Sequence, residues 1–332
     1  MNKTVTIAHG NGGEENNELI KSIFYKHFKN EILERSEDAA ILKDLTLSVA
    51  MTTDSFTVSP LFFPGGDIGK LAVCGTCNDL AMMGAKPKYL TCSVIIEEGF
   101  PARELEKIVR SMKQELAINE AIIVSGDTKV VPKGGVDKLF INTTGIGEVR
   151  REGISASALK EGMSILVSRD IGAHGACIFA AREGITLESE LTTDCASLYP
   201  QVQALIEAGI SIAAMRDATR GGVAAVLNEW AKSSGICIEV DEQNVPVNEQ
   251  VQGICEMLGF EALNLANEGT FLLCVPKEDE EKALDLLRQV HDNAAVIATV
   301  TTQYEGRVIL NSSWGTKRFL DLPTGELLPR IC

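Results

Sequence analysis

Twice along this chain, short apolar runs of strand length alternate with segments whose apolar residues repeat at the helical period, and the pattern starts afresh after Arg151. In the first half, 47–51, 89–96, 121–124 and 139–149 read as strands, and 69–83 and 101–116 as helices. In the second half, strands are expected at 164–167, 236–240, 271–275 and 294–300, with an apolar run at 210–215. Helices are expected at 173–181, 202–207, 222–230, 247–257 and 279–290. A further helix is suggested by Leu19, Ile20, Ile23, Phe24 and His27. This alternation belongs to the α/β (α+β) class, and 332 residues suit about two domains, each with its own core. The boundaries fall at 1–36 (glycine loop and helix), 37–150, 151–310 and 311–332. The last stretch holds Gly315, Pro323, Gly325 and Pro329 without a helical period, so it reads as a mobile tail.

A formal charge of −15 repels other polyanions, so neither nucleic acid nor an anionic membrane is expected as a partner. An acidic chain still holds a nucleotide where Mg²⁺ and backbone N–H groups neutralise the phosphates locally. No stretch has the length of a membrane helix and no signal pattern opens the chain, which reads as cytoplasmic. Nine cysteines, an odd number set mostly in apolar runs, do not form a secreted disulfide framework. Cys74 and Cys77 have the spacing of a redox dithiol but lie among small, helix-compatible residues that close packing explains equally well. Cys332 differs from the rest: at the end of the tail, at about 3.3 Å per residue, it can reach a cleft or a partner protein.

Acidic residues punctuate the apolar runs. Asp38 precedes one, while Asp54 and Asp127 follow others, at strand ends where open α/β sheets bind ligands. Asp79, after Asn78, interrupts an otherwise apolar helix, where a buried carboxylate needs a partner such as a cation. Together these suit Mg²⁺ and ATP phosphates, although each aspartate alone also reads as a turn or helix cap. The loop His9-Gly10-Asn11-Gly12-Gly13 is either a phosphate cover or a flexible terminus. Gly126-Asp127-Thr128-Lys129 sets a carboxylate, a hydroxyl and a cation beside a glycine turn without being a Walker loop. Asp217-Ala218-Thr219-Arg220-Gly221-Gly222 leads into a helix, and its glycines and guanidinium favour a phosphate there. Glu268, in Asn267-Glu268-Gly269, is placed to act as a base from a strand start, or is simply a turn residue.

These motifs resemble the HypE family of hydrogenase maturation proteins, which are carbamoyl dehydratases. The likeness covers nearly the whole chain: the His9–Gly13 glycine run, Thr52-Thr53-Asp54-Ser55-Phe56, 60–70 through Asn78-Asp79-Leu80-Ala81-Met82, Glu97-Glu98-Gly99-Phe100-Pro101, Gly126-Asp127-Thr128-Lys129, Asn267-Glu268-Gly269 and the ending Leu328-Pro329-Arg330-Ile331-Cys332. Ala218 departs from the family motif, which usually has proline there.

The resemblance implies a two-domain PurM-like fold shared with aminoimidazole ribonucleotide synthetase and selenophosphate synthetase, its N-terminal ATP-binding domain forming a β-barrel across a homodimer. It implies that HypF carbamoylates Cys332, that ATP drives dehydration of the thiocarboxamide to a thiocyanate, and that the cyano group passes to the HypC and HypD complex to become a cyanide ligand of nickel-iron hydrogenase. By the same resemblance, Cys332, Lys129 and Glu268 are the reacting residues. His9, Gly10, Gly12, Gly13, Thr53, Asn78, Gly126, Thr128, Arg220, Gly221 and Gly222 would bind ATP, and Asp38, Asp54, Asp79, Asp127 and Asp217 would hold Mg²⁺. Two other readings compete: a thiol carrier without catalysis, and a different ATP-dependent amide-activating enzyme.

Overall fold

The structure, a computed structural model, describes residues 13–19, 40–42, 48–185, 191–324, 328 and 330–332. After helix α1 (Glu14–Leu19) come strands β1 (Ala40–Leu42), β2 (Val49–Phe56), β3 (Phe62–Phe63) and β4 (Gly66–Asp67). Helix α2 (Ile68–Met82), β5 (Ala85–Glu97), α3 (Ala102–Ile118), β6 (Ile122–Val131) and β7 (Leu139–Val149) complete the first half. The order β1-β2-β7-β5-β6 makes a sheet that is antiparallel except for β5–β6, the pair joined through α3.

Strand alternation decides which residues meet. In β2, Thr52, Asp54 and Phe56 turn toward α2, whereas Met51, Thr53 and Ser55 turn to the open face. Register carries this across the sheet, so Ser93 and Ile95 of β5 share the open face with Asp127 and Lys129 of β6. Every residue of α2 is buried except Lys70 and Asp79. Its small residues are the reason it fits: a Cβ at Gly75 would press on the Phe56 ring.

The second half runs β8 (Ser164–Val167), α4 (Ala173–Glu183), α5 (Tyr199–Glu207), β9 (Ala214–Asp217), α6 (Gly222–Ser234) and β10 (Cys237–Asp241). It continues with α7 (Glu249–Leu258), β11 (Phe271–Val275), α8 (Glu280–Arg288), β12 (Ala295–Thr301), β13 (Val308–Asn311) and β14 (Lys317–Phe319). Its sheet has the order β14-β13-β10-β12-β8-β11-β9, with β8 and β11 buried along their whole length. Helices α4, α6 and α7 each stop at a left-handed glycine, Gly184, Gly235 and Gly259. Strands and helices alternate as expected of the α/β (α+β) class, and most pairs in this sheet are antiparallel.

The stretch 311–332, expected as a mobile tail, is seated over its described residues. Lys317–Phe319 pairs with β13, Leu320 enters the second core, and Leu328 and Ile331 enter the core that runs from α2 to α4 and α7. Turn-forming residues conceal this from local reading, because the partners that bury the tail lie far away in sequence.

Candidate active site

Between the two halves, ends of strands and starts of helices converge. Asp54 comes from β2, Asp217 from the end of β9, Arg220 from the turn opening α6, and Glu268 from the turn before β11. They lie close enough to perturb one another. Burial raises the Asp54 carboxyl against the pull of Arg220. Burial, then the neighbouring Asp54, lifts Asp217 to about 6 although Arg216 opposes it. Glu268 is raised well above the usual carboxylate range by burial, then by Asp217, Asp194 and Asp54. Asp79 accepts a hydrogen bond from the Thr52 hydroxyl at 2.7 Å and adds to the negative field at Arg220.

Cys332 completes the group. Burial pushes its thiol up to about 12, with Arg220 pulling down and Glu268 and Asp54 pushing further up. Arg220 is in turn raised above its ordinary value, with Cys332 the first cause. The tail therefore delivers its sulfur to the carboxylate cluster.

A turn held from below aims Glu268. The Asp194 carboxylate accepts from the N–H groups of Glu268 (3.1 Å) and Gly269 (2.9 Å) and from the Thr270 hydroxyl (2.8 Å). A Cβ at Gly269 would run into the Asp194 carbonyl. Asn267 accepts from Gly172 N–H and donates to the Ala218 carbonyl, tying this turn to the one before α6. Asp194 escaped sequence reading because it sits in a stretch without periodicity; its buried, fully used carboxylate is visible only in three dimensions.

Several expected ligand residues have other work. Asn78 donates to the carbonyls of Ala196 and Glu268 and accepts from Leu198 N–H, clamping α2 to the second half. Gly221 and Gly222 both have left-handed backbones, and a Cβ at Gly222 would lie 2.5 Å from the Leu263 carbonyl, so packing alone requires glycine there. Gly13 opens α1 and lies against the Pro323 backbone. Thr53 faces the open side of the sheet, bonded to Thr144 and the Thr143 carbonyl. Gly126 and Thr128 lie along the exposed strand β6, as do Asp127 and Lys129, which pair at 2.9 Å. Within one chain these β6 residues are not brought to the Cys332 cluster, because Asp127 and Lys129 point from the opposite face. His9, Gly10, Gly12 and Asp38 lie outside the described residues. Cys74 and Cys77 are both free and buried, with the Cys74 thiol donating to Glu115 at 3.4 Å.

Among the described residues, no three His, Cys, Asp or Glu groups are arranged to hold a metal ion unaided. Nevertheless Asp54, Asp217 and Glu268 repel one another, a repulsion that Arg220 eases at Asp54 and Arg216 at Asp217. That donor set fits Mg²⁺, which keeps several waters and shares phosphate oxygens with one or two carboxylates.

Residues 36–149 match the N-terminal domain of AIR synthase related proteins, and residues 160–311 match their C-terminal domain. The chain is thus a two-domain protein of the AIR synthase related, PurM-like class. It is 45% identical to carbamoyl dehydratase HypE of Escherichia coli K12, over 99% of both chains, and 42% identical to a putative hydrogenase expression/formation protein of Methanocaldococcus jannaschii, again over 99% of both. Among solved structures, a HypE–HypF complex superposes with a TM-score of 0.87 at 45% identity, covering 92% of this chain and 99% of that one. HypE in complex with ATP gives 0.83 at 43%, covering 99% and 100%. The chain belongs to the HypE family of carbamoyl dehydratases. Thiamine monophosphate kinase of Aquifex aeolicus, 19% identical with a TM-score of 0.67 over 90% of this chain and 97% of that one, shares the fold.

Proposed function

We infer that this protein dehydrates a carbamoyl group carried on Cys332, converting the thiocarboxamide to a thiocyanate at the expense of ATP and so supplying cyanide for nickel-iron hydrogenase. The observation that carries the reading is the seating of Cys332 beside Arg220, Glu268 and Asp54. An amide oxygen does not leave as hydroxide. Transfer of the ATP γ-phosphoryl group to that oxygen lets it leave as phosphate, while both N–H protons are lost and the C≡N bond forms. Glu268 is the assigned base: burial raises its carboxyl well above the usual range, which makes it a stronger base toward a weakly acidic N–H than an ordinary glutamate. Arg220 is assigned to the phosphates, beside the α6 N-terminus. Asp54, Asp79 and Asp217 would hold Mg²⁺, which would screen the phosphate charge as ATP enters an acidic cleft.

Lys129 is assigned to stabilising the phosphorylated amide. In one chain it lies on the face of the sheet away from Cys332, so this role requires the open faces of two copies to meet, in keeping with a homodimer. HypF is the expected carbamoyl donor, as a HypE relative forms a complex with it, and the HypC and HypD complex is the expected cyano acceptor. No helix among the described residues is long and apolar enough to cross a membrane. Nine free cysteines favour the reducing cytoplasm.

Intact mass of the carbamoylated protein, before and after ATP and Mg²⁺, tests the reading, with Cys332→Ala as control. Loss of one water, only with ATP and only with Cys332 present, is the expected result. An adduct that forms on Cys332 but survives ATP unchanged would instead make the protein a carrier.

A further inference from the structure

The last three residues are held through their main-chain oxygens, and each oxygen has its own donor. The Cys332 oxygen accepts from the Thr57 N–H at 2.9 Å and from the Thr57 hydroxyl at 3.1 Å. The Ile331 carbonyl accepts from His174 Nε2 at 2.6 Å. The Arg330 carbonyl accepts from the Ser59 N–H at 3.2 Å and from the Arg182 guanidinium, whose Nε also donates to the Ser59 carbonyl at 2.6 Å. Residues 330–332 thus run antiparallel to 57–59, held by two backbone N–H groups and by two α4 side chains.

The tautomer of His174 follows from its partners. A carbonyl only accepts, so Nε2 carries the proton, and Nδ1 accepts from the Thr193 hydroxyl at 2.7 Å. The Thr193 oxygen in turn accepts the Cys195 N–H at 3.0 Å. A neutral, fully buried imidazole with both nitrogens engaged has a fixed ring plane and a fixed donor direction. None of the reacting groups touches it, and none of the partners of the tail oxygens depends on what the sulfur carries.

We propose that Arg182 and His174, with Thr57, form a clasp that seats the tail by its backbone and so positions the Cys332 sulfur at the carboxylate cluster. They are positioning residues. The proposal deepens the dehydratase reading and rests on it for its purpose, since the tail must be seated for dehydration and free when the carbamoyl group is loaded and the cyano group handed on. Seating also sets Arg182 near Arg330, two like charges eased by the 2.6 Å pair of Arg330 with Asp137.

Alkylation of Cys332 measures the unseated fraction, because the seated side chain packs against the core whereas a free one meets the reagent openly. The full-length protein, without ATP or carbamoyl donor, is treated with iodoacetamide, and Cys332 modification is followed by peptide mass mapping. Arg182→Ala should raise the rate roughly tenfold and Thr57→Val a few-fold, as expected for loss of a charged and a neutral hydrogen bond, with Arg182→Lys in between. Carbamoylated Arg182→Ala should also dehydrate more slowly in a single turnover while its KM for ATP is unchanged. Folded Arg182→Ala and Thr57→Val proteins that both alkylate at the wild-type rate would overturn the clasp. Since this readout needs no turnover, it stands apart from failure of the dehydratase reading, which appears as an adduct that ATP leaves unchanged.

Discussion

Burial next to Asp54 moves the Asp217 carboxyl from its ordinary value of 3.8 up to about 6. A carboxyl raised on folding carries no penalty below the unfolded value, and the penalty accrues as pH climbs from 3.8 to about 6 and is complete above that. A shift of that size corresponds to about 3 kcal/mol at neutral pH. The ligand-free protein should therefore lose stability between pH 4 and pH 7.5, with Glu268 acting in the same direction. Asp217→Asn should flatten that loss, raising the melting temperature at pH 7.5 and little at pH 4, while weakening the stabilisation by ATP and Mg²⁺. Thermal melts at the two pH values check this, and parallel curves for the two proteins would refute it. Asp54, Asp217 and Glu268 were legible in the sequence because carboxylates at the borders of apolar runs are out of place unless a ligand meets them. His174 was not, since one histidine in a small-residue helix reads as core, although the argument that singled out Asp79 in α2 applies to it equally.

At the scale of elements, the 267–269 turn is rigid because its two N–H groups and the Thr270 hydroxyl all point at Asp194. Replacing that carboxylate by an amide sets an NH₂ against donors in a buried place. Asp194→Asn should cost about 2 kcal/mol in urea unfolding, with an unchanged denaturant slope, and should slow dehydration by loosening Glu268. Unaltered stability would mean that the turn is held by Asn267 alone. Strands and helices were readable because each carries its own period, as β7 does by strict alternation. What lay beyond reading was pairing. The parallel or antiparallel sense of a sheet, and the seat of the tail against residues 57–59, depend on partners up to 275 positions apart. The side to which Lys129 points depends on register as well, because a shift between β5 and β6 near Thr91 sets it on the open face.

For the molecule as a whole, that open face is the feature a single chain leaves unfinished. Met51, Ile146, Tyr89 and Ile122 stand in one row across four strands, and each is at least 38% exposed. An apolar row of this kind on a sheet whose other face is covered by α2 calls for a second surface. The same face carries Lys129, so the proposed homodimer closing over it would hide the row and set Lys129 at the contact. One substitution separates these roles. Ile146→Lys lies in the row and away from the Cys332 cluster, so it should convert the protein to a monomer in sedimentation velocity and abolish dehydration, while Cys332 alkylation stays at the wild-type rate because the clasp is built within one chain. A monomer that dehydrates normally would remove both the dimer and Lys129 from the mechanism. A dimer that persists with a lysine at its centre would place the contact elsewhere on the molecule.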